Sequence, residues 1–135
     1  MPAKKTFKDL VDDAKRRINE VDVDELTAMM EAREQPRPVV IDVREADERA
    51  KGYIPGSIFI PRGILERDLE KLAYRGNATD DDLTRPVVVY CAGGARAALA
   101  ADTLRQMGFT NPYSLEGGFK AWGESGQPVA HDRSA

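Results

Sequence analysis

The residues best suited to chemistry stand in one short segment, where a cysteine and an arginine are separated by four small residues. Cys91 follows the apolar run Val87–Tyr90, and Arg96 precedes an alanine-rich stretch. Gly93 and Gly94 permit left-handed backbone and a tight curl. A curled loop that enters a helix turns backbone N–H groups inward, and the helix N-terminus adds partial positive charge. We therefore expect an electropositive loop that favours the Cys91 thiolate, which is the nucleophilic form.

A second interpretation treats Cys91 as a small side chain that closes a core strand, because cysteine is among the most buried residue types. The neighbouring glycines and arginine favour the reactive interpretation. A thiolate stabilised by the loop needs no histidine base. The chain has one histidine, His131, near its C-terminal end. A Cys-His or Ser-His-Asp catalytic group would therefore have to recruit that terminal segment.

The composition excludes several classes of protein and of site. The chain has 135 residues, of which 41% are hydrophobic and 32% charged, as is typical of one soluble globular domain. A single cysteine excludes an internal disulfide and a four-cysteine zinc site, and we expect no metal and no cofactor. The net charge of −3 gives no reason to expect nucleic acid as a partner. No apolar run approaches the roughly 20 residues that span a membrane, and no signal peptide is visible, so we expect a cytoplasmic location.

Short strands and helices alternate along the chain. Apolar segments predict strands at residues 39–41, 57–60, 87–90 and 113–115. Helices are predicted at residues 5–19, 22–34, 45–51, 64–74 and 97–107, with a last short helix around 116–122 and a polar loop at 75–82. This alternation predicts an α/β fold with a mainly parallel sheet, whose ligand site lies at the carboxyl ends of the strands. Asp42, Arg44 and Cys91 all fall at such ends.

The chain divides into three predicted parts. These are an amphipathic N-terminal helical extension (1–19), a main domain (20–124) and a polar C-terminal tail (125–135). One face of the first helix would carry Phe7, Leu10, Val11, Ala14 and Ile18. Thr6 followed by Asp9 resembles a capping box that would start this helix. We expect the helix to dock on the domain surface and the tail to be loosely held.

Four segments, in order, resemble the rhodanese (sulfurtransferase) homology domain in its single-domain bacterial form. Residues 40–44 match its strand ending in Asp-Val-Arg, and residues 52–61 match its Gly-His-Ile-Pro-Gly-Ala segment. Residues 91–96 match its six-residue active-site loop, and residues 115–122 match its Gly-Gly-aromatic-x-x-Trp segment. Each match alone is weak, whereas four in order are specific. The resemblance implies one α/β domain whose central, mostly parallel five-stranded sheet is flanked by helices.

The resemblance also implies a reaction. Cys91 would attack a sulfane-sulfur donor such as thiosulfate and become a persulfide, and a thiol or cyanide-like acceptor would remove the outer sulfur. The backbone amides that would cradle the persulfide are those of Ala92, Gly93, Gly94, Ala95 and Arg96. Arg96 would bind the small anionic donor and stabilise the departing sulfite. Asp42 and Arg44 would order the surroundings of the loop, and Arg62 would lie at the pocket rim. A protein could also serve as sulfur donor or acceptor.

The chain departs from the family pattern at two positions. Tyr53 stands where a histidine is common, and Ala97 stands where serine or threonine is common. These changes remove an imidazole and a hydroxyl contact to the sulfur, but they leave the nucleophile in place.

Two other functions stay open. A cysteine-dependent phosphatase or arsenate reductase also uses a Cys-to-Arg loop, although usually with five intervening residues instead of four. A non-catalytic regulatory or sensor module is the second alternative. The presence of Cys91 argues against it, because such modules usually lack the loop cysteine.

Overall fold

The computed structural model describes residues 4–33 and 36–132, over which five strands and seven α-helices alternate. The strands are β1 (Asn19–Val21), β2 (Val39–Asp42), β3 (Ile58–Phe59), β4 (Val87–Tyr90) and β5 (Pro112–Leu115). The helices are α1 (Phe7–Arg17), α2 (Val23–Glu31), α3 (Ala46–Ala50), α4 (Leu65–Ala73), α5 (Asp80–Thr84), α6 (Ala95–Gln106) and α7 (Gly118–Glu124), and a 3₁₀ turn (Arg62–Ile64) precedes α4. Among the helices described, none is long and apolar enough to cross a membrane.

The strands form one sheet in the order β1-β5-β4-β2-β3, and every neighbouring pair is parallel. The predicted α/β architecture with a five-stranded, mainly parallel sheet is therefore confirmed. Parallel strands share one carboxyl edge, so the ends of β2 and β4 lie side by side, with Asp42 in register with Tyr90. The loop that begins at Cys91 leaves the sheet at this edge.

Both faces of the sheet are covered, because successive side chains of a strand point to opposite faces. One face packs against α1, α4 and α6 through a cluster that includes Val39, Ile41, Val87, Val89, Leu69 and Leu104. The other face packs against α2 and α7 through a cluster that includes Val40, Val88, Tyr90, Leu26, Leu115 and Trp122. Cys91 belongs to the first cluster, so its side chain points towards α6.

Two elements differ from the sequence-based expectation. The first helix ends at Arg17, and Asn19–Val21 forms an edge strand paired with β5. Three residues are too few for an alternating pattern to be recognised. The helix α5 begins inside the predicted polar loop, where Thr79 accepts a hydrogen bond from the backbone N–H of Asp82 in a complete capping box. The spacing of Thr79 and Asp82 in the sequence is typical of a capping box and so indicates the start of a helix.

The first helix packs against α6, and its predicted capping box of Thr6 and Asp9 is formed. Of its predicted apolar face, Val11, Ala14 and Ile18 join the core, whereas Phe7 and Leu10 are 57% and 46% exposed. Arg17, at the end of α1, pairs with Asp102 of α6 at 2.8 Å between Nη2 and Oδ2. Because Asp102 is itself buried, this pair fixes the end of α1 to the helix that follows the cysteine loop.

Candidate active site

The Cys91 sulfur lies at the centre of the loop between β4 and α6. The residue is 1% exposed, and its Sγ accepts hydrogen bonds from the backbone N–H of Gly94 at 3.1 Å and of Ala97 at 3.3 Å. Gly94 belongs to the predicted cradle of residues 92–96, and Ala97 lies one residue beyond it. Backbone N–H donors and the N-terminus of a 12-residue helix both favour negative charge on the sulfur.

The two loop glycines play different parts. Gly94 is the N-cap of α6 and has a φ of +114°, a conformation that other residues adopt at a cost. The backbone of Gly93 is not left-handed, and a Cβ placed on it would meet no atom within 4 Å. Of the two glycines that permit a left-handed backbone, only Gly94 adopts it.

The last helix supports the loop from the other side of the sheet edge. Its residue Phe119 donates its backbone N–H to the carbonyl oxygen of Cys91 at 2.8 Å, and Lys120 donates to that of Ala92 at 3.1 Å. This contact requires close approach, because a Cβ on Gly118 would lie 2.5 Å from the Cys91 oxygen. The φ of Gly118 is +59°, so glycine is favoured at this position both by the lack of space for a Cβ and by the left-handed backbone. Sequence reasoning assigned this glycine no part in the site.

At the end of β2, Asp42 and Arg44 form a buried ion pair. Asp42 accepts from Arg44 Nε at 3.0 Å and Nη2 at 2.9 Å, and from Arg49 Nη1 at 3.3 Å. Burial raises the pKa of the Tyr90 phenol, so this hydroxyl stays protonated and donates to Asp42 Oδ2 at 3.1 Å. Asp42 is 0% exposed and Arg44 is 3% exposed. A buried carboxylate with this many donors fixes the relative positions of β2 and β4.

The Arg44 guanidinium connects this ion pair to the loop support. Its Cζ lies 4.3 Å from the centroid of the Phe119 ring, and its Nη2 donates to the carbonyl of Gly52 at 2.7 Å. Phe119 in turn holds the Cys91 carbonyl. Arg44 is therefore linked to the loop through one intermediate residue, Phe119.

Arg96 carries its charge in an ion pair. Its Nη1 and Nη2 donate to the two carboxylate oxygens of Glu48 in α3, at 2.8 and 2.9 Å. These hydrogen bonds lower the pKa of Glu48 from 4.5 to about 2 and raise the pKa of Arg96 above its usual value. Sequence reasoning gave Glu48 no role, because the two residues are far apart along the chain.

The cysteine loop, the Asp42–Arg44 pair and the last helix, α7, all lie within the part of the chain that matches one known protein family. The family model described as "Rhodanese-like domain" matches residues 22–125. The chain belongs to the rhodanese-like family. The resemblance inferred from four segments is thereby confirmed.

Several known proteins are similar to this chain. It is 43% identical over 84 residues to the "Uncharacterized protein YqhL" of Bacillus subtilis, a match that spans 62% of this chain and 60% of that protein. It is 34% identical over 103 residues to the "Thiosulfate sulfurtransferase GlpE" of Shewanella oneidensis, spanning 76% and 90%. A solved structure from Rhodopseudomonas palustris, described as a possible tyrosine phosphatase, matches with a TM-score of 0.78 and 30% identity over 96% of this chain and 99% of that one.

At the first departure from the rhodanese pattern, Tyr53 binds the C-terminal segment. Its backbone exchanges two hydrogen bonds with Ala130, both 2.9 Å, and its hydroxyl donates to Asp132 at 2.9 Å. Trp122 Nε1 also donates to the carbonyl of Pro128 at 2.8 Å. The expectation of a loosely held tail is therefore wrong for residues 128–132. It failed because these contacts join positions far apart along the chain.

At the second departure, the side chain of Ala97 is fully buried and its backbone N–H reaches the sulfur. Although Ala97 has no side-chain hydroxyl, its backbone N–H still donates a hydrogen bond to Cys91 Sγ.

Arg62 lies away from the cysteine loop of this rhodanese-like domain. Its Nη1 donates to Glu66 at 2.8 Å and its Nη2 donates to Thr103 at 3.0 Å. Thr103 is eight residues beyond Ala95, the first residue of α6, a distance of roughly 12 Å along the helix. The structure thus places Arg62 beside the C-terminal half of α6 and does not bring it together with Cys91 and Arg96.

Proposed function

We propose that this rhodanese-like protein is a sulfurtransferase that carries a sulfane sulfur as a persulfide on Cys91. The observation that carries the proposal is the pair of N–H donors, from Gly94 and Ala97, that converge on the buried Sγ. Donors placed in advance around a sulfur stabilise the thiolate that attacks and the persulfide anion that forms. The sulfurtransferase named among the relatives, at 34% identity, supports the same reaction class.

The reaction proceeds in two displacements. The Cys91 thiolate attacks the outer sulfur of a donor such as thiosulfate, the S–S bond of the donor breaks, and sulfite leaves with the bonding electron pair. A nucleophilic acceptor, either a thiolate or cyanide, then attacks the outer persulfide sulfur and releases the Cys91 thiolate. The chain has one cysteine, so the acceptor must come from outside this chain.

The loop suits sulfur better than a phosphate ester. Four residues separate Cys91 from Arg96, and two backbone N–H groups, those of Gly94 and Ala97, point at the sulfur. A cysteine-dependent phosphatase also needs a protonated carboxylic acid for the leaving group. Glu48, which contacts the loop arginine, has a pKa of about 2 and is ionised at neutral pH. It therefore cannot donate that proton.

Intact-protein mass spectrometry after incubation with thiosulfate tests the proposal. The wild type should gain one sulfur atom, and cyanide should remove it as thiocyanate, whereas Cys91→Ser should gain none. Hydrolysis of p-nitrophenyl phosphate is measured in parallel. Equal loading of wild type and Cys91→Ser would refute the role of the cysteine. Phosphate release without sulfur loading would favour a phosphatase, and neither activity with any donor would favour a non-catalytic module.

A further inference from the structure

The positive charge of the cysteine loop, on Arg96, is already paired with the carboxylate of Glu48. Residues 92–95 have no charged side chain, so Arg96 is the cation of the loop segment. Glu48 takes one N–H from each terminal nitrogen of Arg96. The side chains of Arg96 and Glu48 are 34% and 28% exposed, so this ion pair lies at the protein surface, where a small solute can reach it.

A doubly charged donor gains little binding energy from an arginine that is already paired with a carboxylate. The Glu48 carboxylate neutralises the guanidinium and also repels an approaching dianion. Glu45, which is exposed, adds a second negative charge near Arg96. Arg44 and Arg49 share the carboxylate of Asp42 and also donate to Gly52 and Ser57, so both guanidiniums are engaged at the ends of β2 and β3. The exposed Lys120 is screened by solvent. The cation of the loop segment itself, Arg96, is therefore not free to favour thiosulfate.

We propose that Glu48 is a positioning residue that sets donor choice, because it holds Arg96 in an ion pair and so favours a persulfide of an uncharged thiol over dianionic thiosulfate. This inference rests on the proposed function and names the donor class for the same site. The backbone N–H groups of Gly94 and Ala97 remain available in either case, since they bind sulfur and need no anionic group on the donor.

The sulfur transfer from a persulfide donor balances without any further reagent. The Cys91 thiolate attacks the outer sulfur of R–S–SH, forming a new S–S bond. The S–S bond of the donor breaks, and the thiolate R–S⁻ leaves with the electron pair. The proton stays on the transferred sulfur, so the products are the Cys91 persulfide and one thiolate, and no oxidant or reductant is consumed.

The test uses Glu48→Gln with Glu66→Gln as the matched control. Glutamine at position 48 can still accept the N–H of Glu45 that Glu48 accepts in its capping box, but it removes the negative charge. Glu66 pairs with Arg62 at the same 2.8 Å, and Arg62 lies next to the C-terminal half of α6. Sulfur loading of Cys91 is followed by mass spectrometry with two donors, thiosulfate and the persulfide of 2-mercaptoethanol.

In Glu48→Gln, kcat/KM for thiosulfate should rise about tenfold, a change equivalent to about 1.4 kcal/mol, while the value for the 2-mercaptoethanol persulfide, which carries at most one negative charge, stays within about twofold. The gain should come from a lower KM for thiosulfate, with kcat little changed. Glu66→Gln should match wild type with both donors. Adding Arg96→Gln to Glu48→Gln should abolish the gain, because the freed guanidinium is its cause.

Three results would overturn the inference. The first is an unchanged thiosulfate value in Glu48→Gln. The second is an equal fall with both donors, since that would indicate a purely structural role, with a lowered melting temperature as its signature. The third is a thiosulfate gain that persists without Arg96. If wild type loads sulfur from neither donor, the proposed sulfurtransferase function falls together with this inference. If wild type loads sulfur but Glu48→Gln shows no change in donor preference, only the inference falls.

Discussion

Phe119 donates its backbone N–H to the carbonyl oxygen of Cys91 at 2.8 Å while its ring faces the guanidinium of Arg44, 4.3 Å away. One residue of the last helix thus contacts both the peptide of the nucleophile and the buried ion pair at the end of β2. The loop is held from α6 through the sulfur and from α7 through the carbonyl. Changes to either support should therefore affect the loop without altering the nucleophile itself.

Gly118→Ala should destabilise the fold by about 2 kcal/mol or more, because the new Cβ would lie 2.5 Å from the Cys91 oxygen at a φ of +59°. Gly123→Ala is the matched control in the same helix, where a Cβ meets no atom within 4 Å. It should be neutral or stabilising by up to about 1 kcal/mol. Urea unfolding measures both. Equal effects of the two substitutions would contradict the close approach of α7 to the loop.

The two loop glycines should respond differently to alanine. Gly93→Ala should keep sulfur loading near the wild-type rate, since its backbone is not left-handed and its Cβ would be unobstructed. Gly94→Ala should slow loading by roughly tenfold or more, because a φ of +114° strains alanine and the N–H on Sγ would shift. The rates of sulfur loading of the two variants, measured by mass spectrometry, test this difference. A slow Gly93→Ala beside a normal Gly94→Ala would refute the assignment.

Asp42→Ala should cost about 3–5 kcal/mol in the free energy of unfolding, because it leaves the buried guanidinium of Arg44 without its carboxylate. Asp68→Ala removes the partner of the exposed Arg67 and should change stability by less than about 0.5 kcal/mol. Chemical denaturation compares the two variants. Similar small losses would mean that the Asp42–Arg44 pair contributes no more than an exposed pair does.

The Glu48–Arg96 pair should lose its contribution to stability in acid. A carboxyl group whose pKa falls on folding stabilises the folded protein fully above its unfolded pKa and loses that contribution as pH falls. For Glu48 this range runs from about 4.5 down to about 2. The difference in unfolding free energy between wild type and Glu48→Gln should therefore shrink as pH falls through this range.

Removing the cause of the lowered pKa provides the control for that titration. Arg96→Gln keeps the carboxyl but removes its hydrogen-bond donors, so its stability should vary less with pH between about 4.5 and about 2 than that of wild type. Parallel curves for wild type and both variants, measured by denaturation at several pH values, would contradict the lowered pKa of Glu48.

The parts of the site that are local in sequence could be predicted, whereas those that depend on tertiary contacts could not. The position of Cys91 at a strand end and the nearness of Asp42 to Arg44 follow from short patterns of strand, turn and helix. The pairing of Glu48 with Arg96 depends on how α3 approaches α6, and no local pattern encodes that approach. The bridge between Tyr53 and Ala130 is non-local in the same way. A glycine also leaves its backbone conformation undetermined: of Gly93 and Gly94, which both permit positive φ, only Gly94 adopts it.

The helix α1 precedes the residues that the family model matches, yet it packs on α6, the helix that presents the loop. Its Arg17 is bound to the buried Asp102, eleven residues after the nucleophile. A protein trimmed to residues 22–125 would keep every residue of the loop but expose the side of α6 that α1 covers. If the loop were grafted onto a relative without such a helix, the nucleophile would likewise be transferred without the packing of α1 on α6.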